Sequence, residues 1–244
     1  MNYFEYNGVR SSDMGLRIEK KNVFSAPSYD VIFQSVPGRN GDLILPNGRY
    51  PNIQITYSVF LPAKTTAELA SKITAVKNWL YKEQDSYHEL KDTYDTSFYR
   101  NGVFANSLDI EDELNKIGVF TVSFSCRPFR FSESGRTAVT AATGTVLANP
   151  YVIPAKPLIK INGSGNGTLK VTNSVSGKVQ TISLTGIDGY VYVDSESMLC
   201  YKDSENMSSH LSGDGFPVFE YGNNTITLTG GITSAVITPR WCCL

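Results

Sequence analysis

Four cysteines (Cys126, Cys200, Cys242 and Cys243) and two histidines (His88 and His210) are the natural metal ligands and nucleophiles of this sequence. A zinc site draws on closely spaced Cys and His pairs. Here Cys242 and Cys243 are adjacent and neither histidine lies near a Cys pair, so reduced, mostly buried thiols are expected. A cysteine nucleophile needs a base, and nothing local offers one. The acidic run Asp109, Glu111, Asp112 and Glu113 lacks the glycine that a curved calcium loop requires, and reads as a solvated hairpin tip. Asp188, Asp194 and Glu196 are candidates for the paired carboxylates of glycoside hydrolysis, but Asp188-Gly189 is first of all a turn signal. No Gly-x-x-x-x-Gly-Lys phosphate loop, Gly-x-Ser-x-Gly elbow or His-Glu-x-x-His pair occurs. The expectation is a protein without catalytic residues, bound metal or cofactor.

One binding chemistry stays open. Tyr190 and Tyr192 alternate with Val191 and Val193, so a strand there would turn two aromatic rings to one side. An outward pair could stack on a sugar ring; the alternative is two tyrosines packed under a loop or at a subunit contact.

Composition narrows the partners. The chain has 244 residues, 41% hydrophobic and 18% charged, with 14 Tyr and 12 Phe, a supply that favours sheets. Net charge is −1 and balanced within each half: 15 Lys/Arg against 16 Asp/Glu up to Gly135, and 7 of each after it. Neither half has the basic excess that gripping phosphate demands. Met1 to Tyr6 does not read as a secretion signal. The uncharged run between Arg136 and Lys156 holds Gly144, Pro150 and Pro154, which argues against a membrane span. A soluble protein made in the cytosol is expected.

The elements follow from periodicity. Phe4 to Val9 reads as a strand closed by Asn7-Gly8, and Asp13 to Ile18 leads into a second. The stretch Tyr29 to Leu61 is the organising one. Tyr29 to Gln34 reads as a strand apolar on Tyr29, Val31 and Phe33. Pro37-Gly38 and Asn40-Gly41 reverse the chain, Leu43-Ile44-Leu45 leads out, and Pro46-Asn47-Gly48 kinks the path. Asn52 to Leu61 returns as a long strand buried on Ile53, Ile55, Tyr57 and Val59. An arm of this kind has edges and an apolar face that need a partner, in the same domain or in a neighbouring copy. Thr65 and Glu68 then have the form of a capping box. Leu69, Ile73, Val76 and Leu80 fall on one face, which predicts a helix over about 66–82 with Trp79 in the core. Ile117 to Cys126 alternates, burying Phe120, Val122, Phe124 and Cys126.

After a Thr/Ala/Gly/Pro-rich passage the domain boundary is placed near Gly135. About eight short strands follow: 157–163, 168–172, 179–184, 190–194, 198–201, 216–219, 225–229 and 235–238. Asn166-Gly167 and Ser176-Gly177 read as turns between them, and the whole suggests a jelly roll.

The order of these features resembles the distal tail protein (Dit) family of long-tailed bacteriophages. The matching pieces are Phe4-x-Tyr6-Asn7-Gly8, Ser12-x-Met14-Gly15-Leu16, Val36-Pro37-Gly38-Arg39-Asn40-Gly41-Asp42, the helix ending Trp79-Leu80, and Phe124-Ser125-Cys126-Arg127-Pro128-Phe129. In the second half they are Pro157-x-Ile159-x-Ile161-x-Gly163, Asp188-Gly189, Asp194-Ser195-Glu196, Gly215-x-Pro217 and Pro239-Arg240-Trp241. The resemblance implies a mainly β chain in two domains. Residues 1–135 would be a ring-forming β-sandwich with one helix and a projecting β-hairpin belt (about 29–61); residues 136–244 would be a galectin-like, jelly-roll β-sandwich.

It further implies a homo-hexameric ring, in single or stacked form, joining the tail tube to the tip and leaving a channel for DNA. The belt residues Val31, Phe33, Arg39, Asn40, Asp42, Leu43 and Ile44 would make the contacts between subunits. The other partners implied are the major tail tube protein, a tail-tip or tail-associated protein and receptor-binding proteins. No cofactor is implied, DNA only passes through, and no membrane insertion is involved. The location would be the distal end of the virion tail, after synthesis in the bacterial cytoplasm. A carbohydrate-binding module for host cell-wall attachment, with Tyr190 and Tyr192 as contacts, is the alternative function; a tail used as a bacteriocin would share the architecture.

Overall fold

The computed structural model describes residues 2–244, which divide into two compact units, 2–130 with Leu244, and 131–243. The first unit contains β1 (Phe4–Tyr6), β2 (Val9–Arg10), β3 (Arg17–Lys21), β4 (Val31–Gln34), β5 (Leu43–Pro46), β6 (Ile53–Pro62), α1 (Thr66–Leu80), β7 (His88–Asp92), β8 (Phe98–Val103), β9 (Glu111–Glu113) and β10 (Ile117–Cys126). Its main sheet is antiparallel, in the order β2-β1-β7-β8-β10-β6-β3.

The alternating side chains dictate how that sheet curls. β6 and β10 pair over ten residues, from Ile53 opposite Cys126 to Pro62 opposite Ile117. Their inward rows, Ile53, Ile55, Tyr57, Val59 and Leu61 on one and Phe120, Val122, Phe124 and Cys126 on the other, are buried. β1 lies four places from β6 in the sheet, yet the rings of Phe4 and Tyr57 are 4.4 Å apart, and Tyr6 and Phe124 are 4.7 Å apart. Only a sheet folded over on itself brings these faces together, so the unit is a β-sandwich around an aromatic core.

α1 covers part of that core. Thr65 Oγ1 accepts the N–H of Glu68 (3.2 Å), one of the donors a helix start leaves open, and Glu68 in turn accepts the N–H of Lys64 (2.8 Å) just ahead of the cap. Leu69, Val76, Trp79 and Leu80 are buried, and Trp79 Nε1 donates to the Tyr6 carbonyl at 3.1 Å. The helix stops at Leu80 rather than Lys82, with Tyr81 at its C-cap. The acidic run is the tip of a hairpin: β9 is exposed and pairs β10, and Leu114 and Asn115 make the turn with positive φ.

The chain crosses into the second unit through β11 (Arg130–Ser132). That unit holds β12 (Val139–Ala141), β13 (Val146–Asn149), β14 (Leu158–Asn173), β15 (Val179–Asp194), β16 (Leu199–Lys202), β17 (Glu205–Asn206), β18 (Leu211–Gly213) and β19 (Gly222–Thr238). The sheet order is β12-β19-β14-β15-β16-β17, with β13 on β19 and β18 on β15.

Here the short-strand reading is corrected. Three strands of 16 or 17 residues replace six of the expected pieces, and Asn166-Gly167 and Asp188-Gly189 lie inside strands instead of at turns. Glycine is the reason. β14 and β19 shift register between Gly163 and Gly167, where their backbones approach so closely that a Cβ on Gly163 would strike the Gly231 carbonyl, and one on Gly231 the Ser164 carbonyl. Each long strand bends there and continues. Ile159 and Ile161 before the bend and Leu169 and Val171 after it enter one buried cluster, as do both halves of β15 and β19. One bent strand therefore serves both layers of a sandwich.

Buried asparagines fix the loop before β19. Asn224 Nδ2 donates to the carbonyls of Leu147, Glu220 and Gly222, and Asn173 Nδ2 to the Asn224 side chain. Asn224→Ala should remove these buried hydrogen bonds and cost about 1–3 kcal/mol. Gly231→Ala should cost about 2 kcal/mol or more through backbone collision. Both effects are read from denaturant unfolding curves.

Candidate functional site

β4 and β5 stand apart from both sandwiches as a two-stranded sheet of their own. Their register pairs Val31 with Pro46, Ile32 with Leu45, Phe33 with Ile44 and Gln34 with Leu43. Opposite residues in an antiparallel ladder share a face, so Val31, Phe33, Ile44 and Pro46 lie on one side and Ile32, Gln34, Leu43 and Leu45 on the other. Both sides are apolar and open to solvent: Phe33 is 62% exposed and Ile44 58%, while across the ribbon Ile32 is 52% and Leu45 43% exposed. Each strand also has one unpaired edge. A ribbon this narrow is marginal in water, and contiguous exposed apolar side chains mark an interaction surface.

The arm is shorter than the sequence suggests. The long strand β6 does not return along it but is built into the main sheet between β10 and β3, so the projecting part spans about 29–50 rather than 29–61. The alternation of β6 marks a strand buried on one face, and the structure supplies that cover from within its own unit.

Its root is clamped. The Tyr29 ring lies 5.0 Å from Tyr50, which meets Phe129 edge-on at 5.6 Å. Asp30 accepts from Arg49 Nε (2.7 Å) and Asn47 Nδ2 (2.9 Å), while its backbone N–H donates to the Arg49 carbonyl and its carbonyl accepts the Asn47 N–H. The Arg49 hydrogen bond, then that from Asn47, holds the Asp30 carboxyl below the usual carboxylate range. At the tip Gly38 and Gly41 have φ of 79° and 78° with open space around them, so backbone sign and not crowding requires glycine. Arg39, Asn40 and Asp42 are exposed there. Among the described residues neither Arg39 nor Asp42 has an ion-pair partner.

All seven belt residues thus lie on this arm, but Leu43 faces away from Val31, Phe33 and Ile44. Ile32 and Leu45, which complete the second face, were not singled out by period-two reasoning. The signal was present in the unbroken apolar runs Val31-Ile32-Phe33 and Leu43-Ile44-Leu45, the pattern of a strand covered on both sides.

The other candidates are dispersed. Tyr192 is half-buried and stacks on Tyr201 at 5.3 Å, and Tyr190 meets Tyr192 edge-on at 5.8 Å. The Tyr190 hydroxyl donates to Asp203 at 2.5 Å. Asp194 binds Arg240 through both oxygens, and Glu196 pairs with Lys156. Cys126, Cys200, Cys242 and Cys243 are unbridged, and burial pushes the Cys126 thiol up to about 12. Among the described residues no group of three His, Cys, Asp or Glu is placed to hold a metal, and no helix is long and apolar enough to cross a membrane.

Residues 7–126 match the phage tail protein RIFT-related domain family. That likeness to a phage tail protein domain spans just under half of the chain. No curated protein sequence matches it. Over its whole length the fold is similar to the Dit protein of phage SPP1, whose structure is described as a paradigm of the hub adsorption apparatus in phages infecting Gram-positive bacteria. The TM-score is 0.78 at 14% identity, with 97% of each chain covered. Two structures of the phage p2 baseplate in its activated conformation, with Sr and with Ca, are similar at a TM-score of 0.52 and 8% identity, again over 97% of each chain. The tail domain and the second sandwich together have the distal tail protein fold.

The clamp at the arm's root makes a pH prediction. A carboxylate with a depressed folded pKa stabilises above its ordinary pKa, and that stabilisation is lost as pH falls through the folded value. Amide exchange at Asp30 and Asn47, corrected for its intrinsic pH dependence, should therefore lose protection on acidification below the usual carboxylate range. Asp30→Asn should show the same loss at neutral pH.

Proposed function

We propose that this chain is a structural component of a phage tail tip, a hub in which copies interlock through the arm into a hexameric ring. The observation that carries the reading is the ribbon with two apolar faces, two open edges and a root cross-linked through Asp30. A contact in which one copy's arm lies on the next is head-to-tail, and such contacts close into rings when the rotation permits. Phe33 and Ile44 on one face and Ile32 and Leu45 on the other are then the core of the contact. Arg39 and Asp42 supply charges of opposite sign at its rim, where they set orientation more than affinity.

In this reading the ring joins the tail tube to the tip protein at the distal end of the virion tail, and the second sandwich holds the adhesion apparatus, including receptor-binding proteins. Its work is geometric and non-catalytic. The near-zero formal charge suits a conduit through which DNA passes without being held, since a basic lining would retain it.

Light scattering across a concentration series tests this. The expected mass is six times the 26.9 kDa of the chain, in one ring or in stacked pairs. Phe33→Asp with Ile44→Asp should yield folded monomers, because each buried apolar side chain contributes about 1.5–3 kcal/mol to the contact. Deleting Val36 to Asp42 should have the same result. A wild-type protein that stays monomeric at high concentration, or variants that keep the ring, would overturn the reading.

A further inference from the structure

The second unit holds a cavity of about 250 Å³ at the place where β15 bulges. Its floor is apolar, formed by Leu184, Ile187 and Val191, all buried. Its rim is polar and unevenly so. Asp188 and Glu205 present carboxylates, which only accept. His210 Nδ1 lies 3.1 Å from the Thr185 carbonyl; a carbonyl cannot donate, so Nδ1 carries a proton and is already used. The one cation, Lys202, already donates to the Asp188 carbonyl (2.7 Å) and carboxylate (3.2 Å), which leaves one of its three protons. Acceptors therefore outnumber donors.

We infer that this cavity binds a neutral, hydroxyl-rich ring, a single saccharide residue. Hydroxyls can donate to the surplus acceptors and still accept from Lys202, whereas phosphate, sulfate or carboxylate would meet two carboxylates with one spare donor. The C–H face of a pyranose suits the apolar floor. Size agrees, because the volume lies just under the range of about 300–1,000 Å³ that drug-sized ligands occupy. The Tyr190 ring lines the cavity in a fixed pose, held by its bond to Asp203 and by Lys160, whose Nζ is 4.2 Å from the ring centroid. Tyr192 takes no part: its ring is spent on Tyr201. The site thus differs from a paired-tyrosine platform, and it is complete within one chain whether or not copies assemble.

Saturation-transfer NMR on the full chain tests the inference with glucose, galactose, N-acetylglucosamine and rhamnose as probes and inorganic phosphate as competitor. At least one sugar should receive transfer at its ring protons, and phosphate should not displace it. Glu205→Ala and His210→Ala should each weaken that sugar about ten-fold, the size of one hydrogen bond to a charged or polar partner. Glu205 is exposed, so its replacement leaves the fold intact, which circular dichroism verifies. Absence of transfer to all four sugars, displacement by phosphate, or unchanged binding in both variants would each overturn it.

Discussion

A ribbon two strands wide has two faces and two edges, and a single copy of this chain covers none of them. That constraint organises the reading of the molecule. Elsewhere the apolar rows are answered from within: β6 by β10 and the aromatic core, the second unit's long strands by one another. Between Val31 and Leu45 two runs of large apolar side chains, Ile32-Phe33 and Leu43-Ile44-Leu45, stay open to water on consecutive positions. Folding tolerates such a segment when its root is held and its surface has a destination.

Much of the first unit was legible because its strands obey a strict period of two. Ile53 to Leu61 and Phe120 to Cys126 declare their buried faces, and the helix declares its own through Leu69, Val76 and Leu80 together with the Thr65 cap. What the period could not say was which strands pair. β6 follows the arm in sequence, so adjacency suggested a two-stranded return; the main sheet won because ten paired residues with β10 bury far more than the narrow arm could offer. The faces of the arm itself were half-legible, since alternation marks Phe33 but hides Ile32.

The second unit defeated local reading for a different cause. Gly163, Gly165 and Gly167 look like turn residues, and Gly165 does take a positive φ. Yet glycine permits a tight reversal and a gentle bend alike, and only the close crossing with Gly230-Gly231 decides between them. The binding cavity was invisible for a related reason: Thr185 to Tyr190, Lys202 to Glu205 and His210 meet only after the bulge of β15 is made.

The clamp of Tyr29, Asp30, Arg49 and Tyr50 has a geometric consequence. A limb free to swivel would let copies join at any pitch, giving open chains as readily as closed circles. With the Asp30 carboxylate tying its two strands to each other and the Tyr50 ring set edge-on against Phe129, the limb leaves its body on a defined bearing. If copies lock through it, that fixed bearing is the angle by which each turns from the last, and so it governs how many members a closed circle contains.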